Sequence, residues 1–351
     1  KKGKEKKTII NPEEVNAYIA GAGKVVSQPI TTTLETNFMP YAMSVIISRA
    51  IPEIDGFKPS HRKLLYTMYN MGLLSGPRIK SANIAGQTMQ LNPHGDAAIY
   101  DTMVRLSEGN EALLHPYVDS KGNFGKAYSR DMVCAASRYT EARLTKIASE
   151  LFKDIDKDTV DNYDATKKEP TLFPVTFPSI LVNANTGIAV GMASSICPFN
   201  LREICETTIE YIYDENCDIS ATLLAPDFPS GGQLIYDKEA INKIYSTGVG
   251  SIKVRAKYNY DKSANCIDIY EIPPTTTLEA IIDKVIDLVK AKKVTEINDI
   301  RDETGLEGLR ITIDLKRGQD PDKLMKKLFK MTTLQDSFSA NFNILINGSP
   351  R

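Results

Sequence analysis

Reactive chemistry in this chain concentrates in cations and in one tyrosine. The stretch Cys134-Ala135-Ala136-Ser137-Arg138-Tyr139-Thr140-Glu141-Ala142-Arg143-Leu144 sets Tyr139 directly after the fixed cation Arg138, with Arg143 further along. A tyrosine hydroxyl, with an ordinary pKa of about 10, is a poor nucleophile until its anion is favoured. Neighbouring guanidinium groups favour that anion, and the same groups can stabilise the charge that builds on a phosphorus under in-line attack. Arg-Tyr pairs also arise often by chance, so the pair alone leaves an ordinary surface tyrosine as the alternative. A second cluster, Lys58-Pro59-Ser60-His61-Arg62-Lys63, places three permanent cations and a histidine at a helix start, where free N–H groups and the dipole already favour an anion. Asn92-Pro93-His94-Gly95-Asp96 sets His94 in a tight turn just before another helix. For these clusters the plain alternatives are a solvated charged face and a structural histidine.

Other chemistries find few residues. The chain has only three histidines, His61, His94 and His115, and lacks G-x-S-x-G, H-E-x-x-H and Walker-type phosphate motifs. Gly187-Ile188-Ala189-Val190-Gly191 is glycine-rich but has the wrong spacing for a dinucleotide loop. The five cysteines are scattered without a C-x-x-C pair, so they read as small core residues rather than disulfide or metal ligands. With 43 Lys+Arg against 44 Asp+Glu the net charge is −1, and a polyanion would have to be met by a local patch.

The elements that must position these residues begin after a basic, polar arm assigned to residues 1–32. Helices are expected over 41–50, from Ser60 as cap to Gly72 as stop, over 81–91, and from Asp96 as cap through Ile99, Met103 and Leu106. Leu144, Ile147, Ala148 and Leu151 form one more apolar stripe at helical spacing, and Asp119–Gly125 suits a small β-hairpin. Helices followed by a β wing have the layout of a winged helix, with an arbitrary helical domain as the alternative. After Pro170, Pro174 and Pro178 the pattern alternates: Ile252, Val254, Ala256, Tyr258; Ile267, Ile269; Leu309, Ile311, Ile313, Leu315; Phe342, Ile344, Ile346. The fold class expected is α+β, with a winged-helix domain over 33–170 and a largely antiparallel α+β domain over 171–351. At 351 residues, 42% hydrophobic and 25% charged, the chain reads as a folded, soluble protein of two or three domains. No apolar run reaches the ~18 residues of a membrane helix and the basic start lacks a signal-peptide core, so a cytoplasmic protein without membrane attachment is expected. Lysine at position 1 and a strand-like end at Arg351 lead us to expect a piece of a longer chain.

Several motifs in order carry a resemblance: Tyr41-Ala42-Met43-Ser44-Val45-Ile46 with Arg49-Ala50-Ile51-Pro52, Asp55-Gly56-Phe57-Lys58-Pro59 with His61-Arg62-Lys63, Pro93-His94-Gly95-Asp96, Gly122-Asn123-Phe124-Gly125, Arg138-Tyr139-Thr140-Glu141, Gly187-Ile188-Ala189-Val190-Gly191-Met192-Ala193, Pro226-Asp227-Phe228-Pro229 and Arg301-Asp302-Glu303. From about residue 36 to the end the chain resembles the A subunit of bacterial type IIA DNA topoisomerases, the family of DNA gyrase and topoisomerase IV, and within it the breakage-reunion core.

The resemblance implies an isomerase acting by transesterification. Tyr139 would attack a DNA phosphodiester to give a 5′-phosphotyrosyl link and a free 3′-hydroxyl, so that a second duplex passes through a transient double-strand break. Arg138 would stabilise the pentacovalent charge, assisted by Arg49 and His94. Ile188 would wedge between base pairs, and Lys58, His61, Arg62, Lys63 and Arg105 would bind DNA, largely through phosphates. The resemblance further implies double-stranded DNA as substrate, a homodimer of A subunits, and an A2B2 complex with a B subunit (TOPRIM and ATPase) in the bacterial cytoplasm at the nucleoid. Both Mg²⁺ and ATP would be bound by that B subunit, with no metal on this chain. The family's coiled coil and C-terminal domain are missing, so weak dimerisation is expected. Asn92 stands where the family usually has histidine, and Ala97 where it has serine. With Asp101 retained, Ala97 marks the quinolone-magnesium position, and weak quinolone binding is expected. Ser137 replaces a more usual methionine, and nothing in the sequence explains it. The reading weighed against this one is a non-catalytic winged-helix DNA-binding or architectural protein; a purely structural domain is a third.

Overall fold

A computed structural model describes residues 27–351. Lys1–Lys7, the basic front of the arm, lies outside the described residues. The described residues open with helical turns at Ile30–Thr33 and α1 (Met39–Val45), joined and followed by π-helical turns at Leu34–Phe38 and Ile46–Ala50. Three helices then pack together: α2 (Pro59–Asn70), α3 (Ser81–Thr88) and α4 (Asp96–Arg105). Leu64, Leu65 and Met68 of α2, Ile84 of α3, and Ile99 and Met103 of α4 are almost wholly buried in one core. Their helical spacing puts these residues on facing stripes, which is what drives the three helices together.

Beside them lies an antiparallel sheet of β1 (Ile79–Lys80), β2 (Val118–Lys121) and β3 (Glu141–Leu144), in the order β1-β3-β2. Two expectations fail here. Leu144 ends a strand, paired with Val118, and Ile147–Leu151 is a 3₁₀ turn, so no helix carries the stripe from Leu144 to Leu151. β2 pairs not with its own continuation but with β3, so the turn-rich 119–125 segment is no hairpin. The helix starts also shift: Lys58 and Gly95 hold the cap positions of α2 and α4, with Ser60 and Asp96 already helical. Gly72 does lie just past α2, at φ +73°.

A small antiparallel pair, β4 (Thr159–Asp161) with β5 (Lys168–Pro170), leads to the second half. There β6 (Asn185–Ile188), β7 (Ala193–Ile196), β8 (Gln233–Ile235), β9 (Val249–Arg255) and β14 (Gln335–Asn341) form a sheet ordered β6-β7-β14-β9-β8. A second sheet, β10-β11-β13-β12, comprises β10 (Lys257–Asp261), β11 (Cys266–Glu271), β12 (Ile297–Asp302) and β13 (Ile311–Leu315). Every pairing in both sheets is antiparallel, and with the helices this makes the chain α+β. Phe342 and Ile344 fall outside any strand, because the ladder with β9 ends at Asn341.

Helices α5 (Leu201–Tyr213), α6 (Lys238–Thr247), α7 (Leu278–Lys290) and α8 (Pro321–Met331) are each capped by a side chain: Asn200, Asp237, Thr277 and Asp320. Each cap satisfies N–H groups a helix start leaves free. None of α2, α3 and α4 has such a cap. All five cysteines are free, with Cys197 and Cys266 buried. No helix among the described residues is long and apolar enough to cross a membrane.

Candidate active site on the loop before β3

Tyr139 sits in the loop entering β3, its side chain 65% exposed, with the Arg138 guanidinium 4.7 Å above its ring. The loop beneath is fixed by a buried chain of hydroxyls. Thr140, wholly buried, donates from Oγ1 to Ser81 Oγ at 2.8 Å and meets the Tyr100 hydroxyl at 2.9 Å. That hydroxyl lies 2.8 Å from Ala135 O. Backbone bonds from Ser81 N to Thr140 O and from Ala82 N to Ser137 O tie the same loop to the start of α3. Buried hydroxyl chains of this kind have few alternative partners, so they fix one geometry. Burial raises the Tyr100 hydroxyl pKa, which keeps it a proton-bearing link. The ladder of β3 adds Glu141, bridged by Lys80 at 3.0 Å and Lys121 at 3.4 Å. The result is an exposed phenol on a loop tied from beneath by buried hydrogen bonds.

Sequence inspection missed Ser81 and Tyr100. The available signal was a polar residue on the buried face of a helix, where an unpaired hydroxyl would be costly. Tyr100 also ties the loop to α4, whose start carries the exposed His94. Ala97 and Asp101, four residues apart, lie exposed on one face of that helix.

The cations expected to grip phosphate divide sharply. Arg62 is buried: its Nε lies 2.7 Å from Asp55 Oδ2, and a terminal nitrogen donates to Phe57 O at 2.8 Å. Asp55, equally buried, also accepts from Phe57 N and Phe173 N. Arg62 therefore holds the fold together and cannot serve as the surface phosphate contact expected of it. Lys63 is half-buried, donating to Leu91 O at 2.9 Å and pairing with Glu169 at 3.2 Å. Arg143 is likewise withdrawn from Tyr139: with Arg78 it clamps Asp119, both at 2.7 Å. Those partners outweigh the burial that would raise the Asp119 carboxyl, and hold it below the usual range.

Arg49, Arg105 and Arg138 are exposed and form no ion pair among the described residues. A cavity of about 540 Å³ opens between Lys58, His61, Asp101, Arg105, Tyr117 and Thr186. Lys58 donates to Thr186 O at 2.6 Å, and burial, then repulsion from Arg105, lowers its pKa. Burial first, then the charges of Lys58, Arg62 and Arg105, push the half-buried His61 imidazole down to about 3. His61 therefore stays neutral at ordinary pH and offers hydrogen bonds rather than charge.

Thr186 belongs to β6, and the β6–β7 hairpin is seated on the segment bearing Arg49. A Cβ at Gly187 would lie 2.0 Å from Ala50 O, so only glycine permits this approach. The next residue, Ile188, projects from the hairpin 82% exposed. The structure thus gathers Lys58, His61, Arg105 and Thr186 around one cavity, with Ile188 exposed two residues further along the same strand. Tyr100 ties the Tyr139 loop to α4, and His94 stands exposed just before that helix begins. The carboxylates near Tyr139 do not fit a metal: Glu141 is held by two lysines, and no cluster of three acidic, His or Cys side chains among the described residues could hold an ion.

The family model for the A subunit of DNA gyrase/topoisomerase IV matches residues 49–351. The gyrase A subunit of Ureaplasma parvum is 42% identical over 359 residues, covering 99% of this chain and 42% of that protein. Its counterpart in Borreliella burgdorferi is 42% identical over 340 residues, 93% of this chain and 42% of that protein. The gyrase A subunit of Halalkalibacterium halodurans is 42% identical over 335 residues, 92% and 40% respectively. The chain spans roughly two fifths of the length of these relatives. With the match running through the Arg49 segment, the Tyr139 loop and both antiparallel sheets, the chain belongs to the family of DNA gyrase and topoisomerase IV A subunits.

Proposed function

We propose that this chain is the DNA-cleaving and rejoining part of an ATP-dependent type IIA topoisomerase, with Tyr139 as nucleophile. The observation that carries this is the exposed Tyr139 phenol under the Arg138 guanidinium, on a loop held by buried hydroxyls. In the reaction, the phenolic oxygen bonds to a backbone phosphorus as its proton leaves, and the P–O3′ bond breaks. The 3′ oxygen departs and takes up a proton, leaving a 5′-phosphotyrosyl link. Because one ester replaces another, rejoining is the same step reversed and needs no external energy. Arg138 supplies a preformed positive charge for the crowded phosphorus, and Arg49 and His94 assist at the same phosphate.

In this reading α2–α4 with the β1–β3 sheet form a winged-helix domain over 33–170, followed by a tower domain over 171–351. The uncapped starts of α2 and α4 leave N–H groups available to phosphate. Lys58 and Arg105 grip the backbone, and Ile188 enters the base stack, which costs a few kcal/mol recovered from the contacts a bent duplex allows. Partners are duplex DNA, a second copy of the A subunit, and a B subunit carrying magnesium and ATP; the A2B2 complex works in the bacterial cytoplasm at the nucleoid.

The test combines the full-length protein, a cognate B subunit, Mg²⁺ and supercoiled plasmid with a detergent trap, for wild type and Tyr139→Phe. Linear DNA with protein on its 5′ ends from wild type alone is the expected result. Tight DNA binding without cleavage by either protein would contradict the proposal.

A further inference from the structure

The loop that leads into the Tyr139 segment is held from a second side, by the distant half of the chain. Glu279, in the first turn of α7, is 8% exposed. Its carboxylate accepts from the Ser129 hydroxyl, from Arg130 N at 3.1 Å and from Asp131 N at 3.3 Å. Leu278 N donates to Tyr128 O at 3.0 Å, and the Tyr128 ring is buried in the core that α7 shares with β11 and β13. Arg130 adds an exposed bridge to Asp283 at 2.9 Å. The clamped loop is stiff: Lys126 N donates to Met132 O, Ala135 N to Asn123 O, and a Cβ at Gly125 would lie 2.6 Å from Met132 O. Ala135 is also where the Tyr100 hydroxyl ends the buried chain under Tyr139.

We infer that Glu279 is a positioning residue for strand cleavage, tying the second half of the chain, through Ser129–Asp131, to the loop that presents Tyr139. This rests on the nucleophile reading above. A carboxylate taking three donors from one short loop fixes its path far more tightly than apolar packing, and removing it leaves those donors unsatisfied. In-line attack tolerates little misplacement: a shift of about 1 Å can cost a hundredfold in rate. Glu279 does not line the cavity that bears Lys58, His61 and Arg105, although Ala127, just before the clamped residues, does, so DNA affinity is measured beside the rates.

The test uses the full-length protein with its B partner and Glu279→Ala, Glu279→Gln and Tyr139→Phe. Single-turnover cleavage and religation rates are measured on one linear duplex, alongside its Kd at fixed salt. Glu279→Ala should slow both rates roughly tenfold to a hundredfold with Kd unchanged. Glu279→Gln, whose amide oxygen can still accept from Ser129 and Asp131 but whose NH2 cannot accept from Arg130 N, should recover part of the loss. Wild-type rates in Glu279→Ala, a parallel loss of DNA affinity, or no recovery in Glu279→Gln would overturn the inference. Cleavage surviving in Tyr139→Phe would instead overturn the nucleophile reading. If Glu279→Ala fails to fold, Ser129→Ala loosens the same clamp, removing one donor to Glu279 and the hydroxyl that accepts from Met132 N, and should likewise slow both rates with Kd unchanged.

Discussion

At the start of α2, Arg62 and Lys63 are bound by Asp55, Phe57, Leu91 and Glu169; in the loop before β3, Arg138 stacks on the Tyr139 ring and meets no carboxylate among the described residues. Both stretches read as cation-rich in sequence, yet one is internal scaffold and the other lies exposed at the surface. Burial decides between them. A guanidinium enclosed with a carboxylate must keep it, because removing either partner strands a charge in low dielectric. An exposed guanidinium without a partner is free for a phosphate. The caps draw a similar line: α5–α8 end free N–H groups on side chains, and α2–α4 do not.

The sharpest way to break this contrast is to delete each arginine. Arg62→Ala should lower stability by about 3–5 kcal/mol, the usual cost of breaking a buried pair, and urea unfolding measures it. An exposed, dispensable Arg62 would leave the midpoint unmoved. Arg138→Ala should leave the unfolding midpoint within error and cut the cleavage rate by roughly a hundredfold or more, as for loss of one preorganised donor to a charged transition state. Single-turnover cleavage with saturating DNA separates the two. The smallest effect belongs to binding. Arg105→Ala should reduce the salt slope of duplex affinity by roughly one phosphate contact, about 0.9 in log Kd per log salt. His61→Asn should leave that slope unchanged, because the imidazole is neutral. NMR titration should accordingly find His61 unprotonated down to about pH 3; a midpoint near the ordinary 6.5 would restore it to the cationic patch.

How legible all this was depends on the range of the interactions. Tyr139, Arg138 and His94 stand in short motifs, and their local chemistry could be argued from neighbours in sequence. Arg62 could not, since its partner choice depends on Asp55 being drawn inside with Phe173, more than a hundred residues away. The stripe from Leu144 to Leu151 misled because helical spacing over so few residues also fits a strand followed by a turn. Ala142 and Leu144 alternate inward within β3, and Ala148 and Leu151 are buried from the turn. β14 escaped notice because Gln335-Asp336-Ser337-Phe338-Ser339-Ala340-Asn341 is polar; it is a strand because β9 and β7 supply its ladder. The antiparallel second half was readable because Ile267, Ile269, Ile311 and Ile313 alternate with full burial. Ser81 and Tyr100 became meaningful only when the fold brought them to Thr140.

The central claim, that Tyr139 becomes covalently joined to DNA, is tested most directly on the trapped complex of the full-length protein with its B partner. Nuclease trimming followed by peptide mass spectrometry should place a nucleotide 5′-phosphate on the peptide containing Arg138-Tyr139-Thr140-Glu141, at the tyrosine. A 5′-phosphate found on any other residue, or a trapped complex with the link at the DNA 3′ end, would contradict the account.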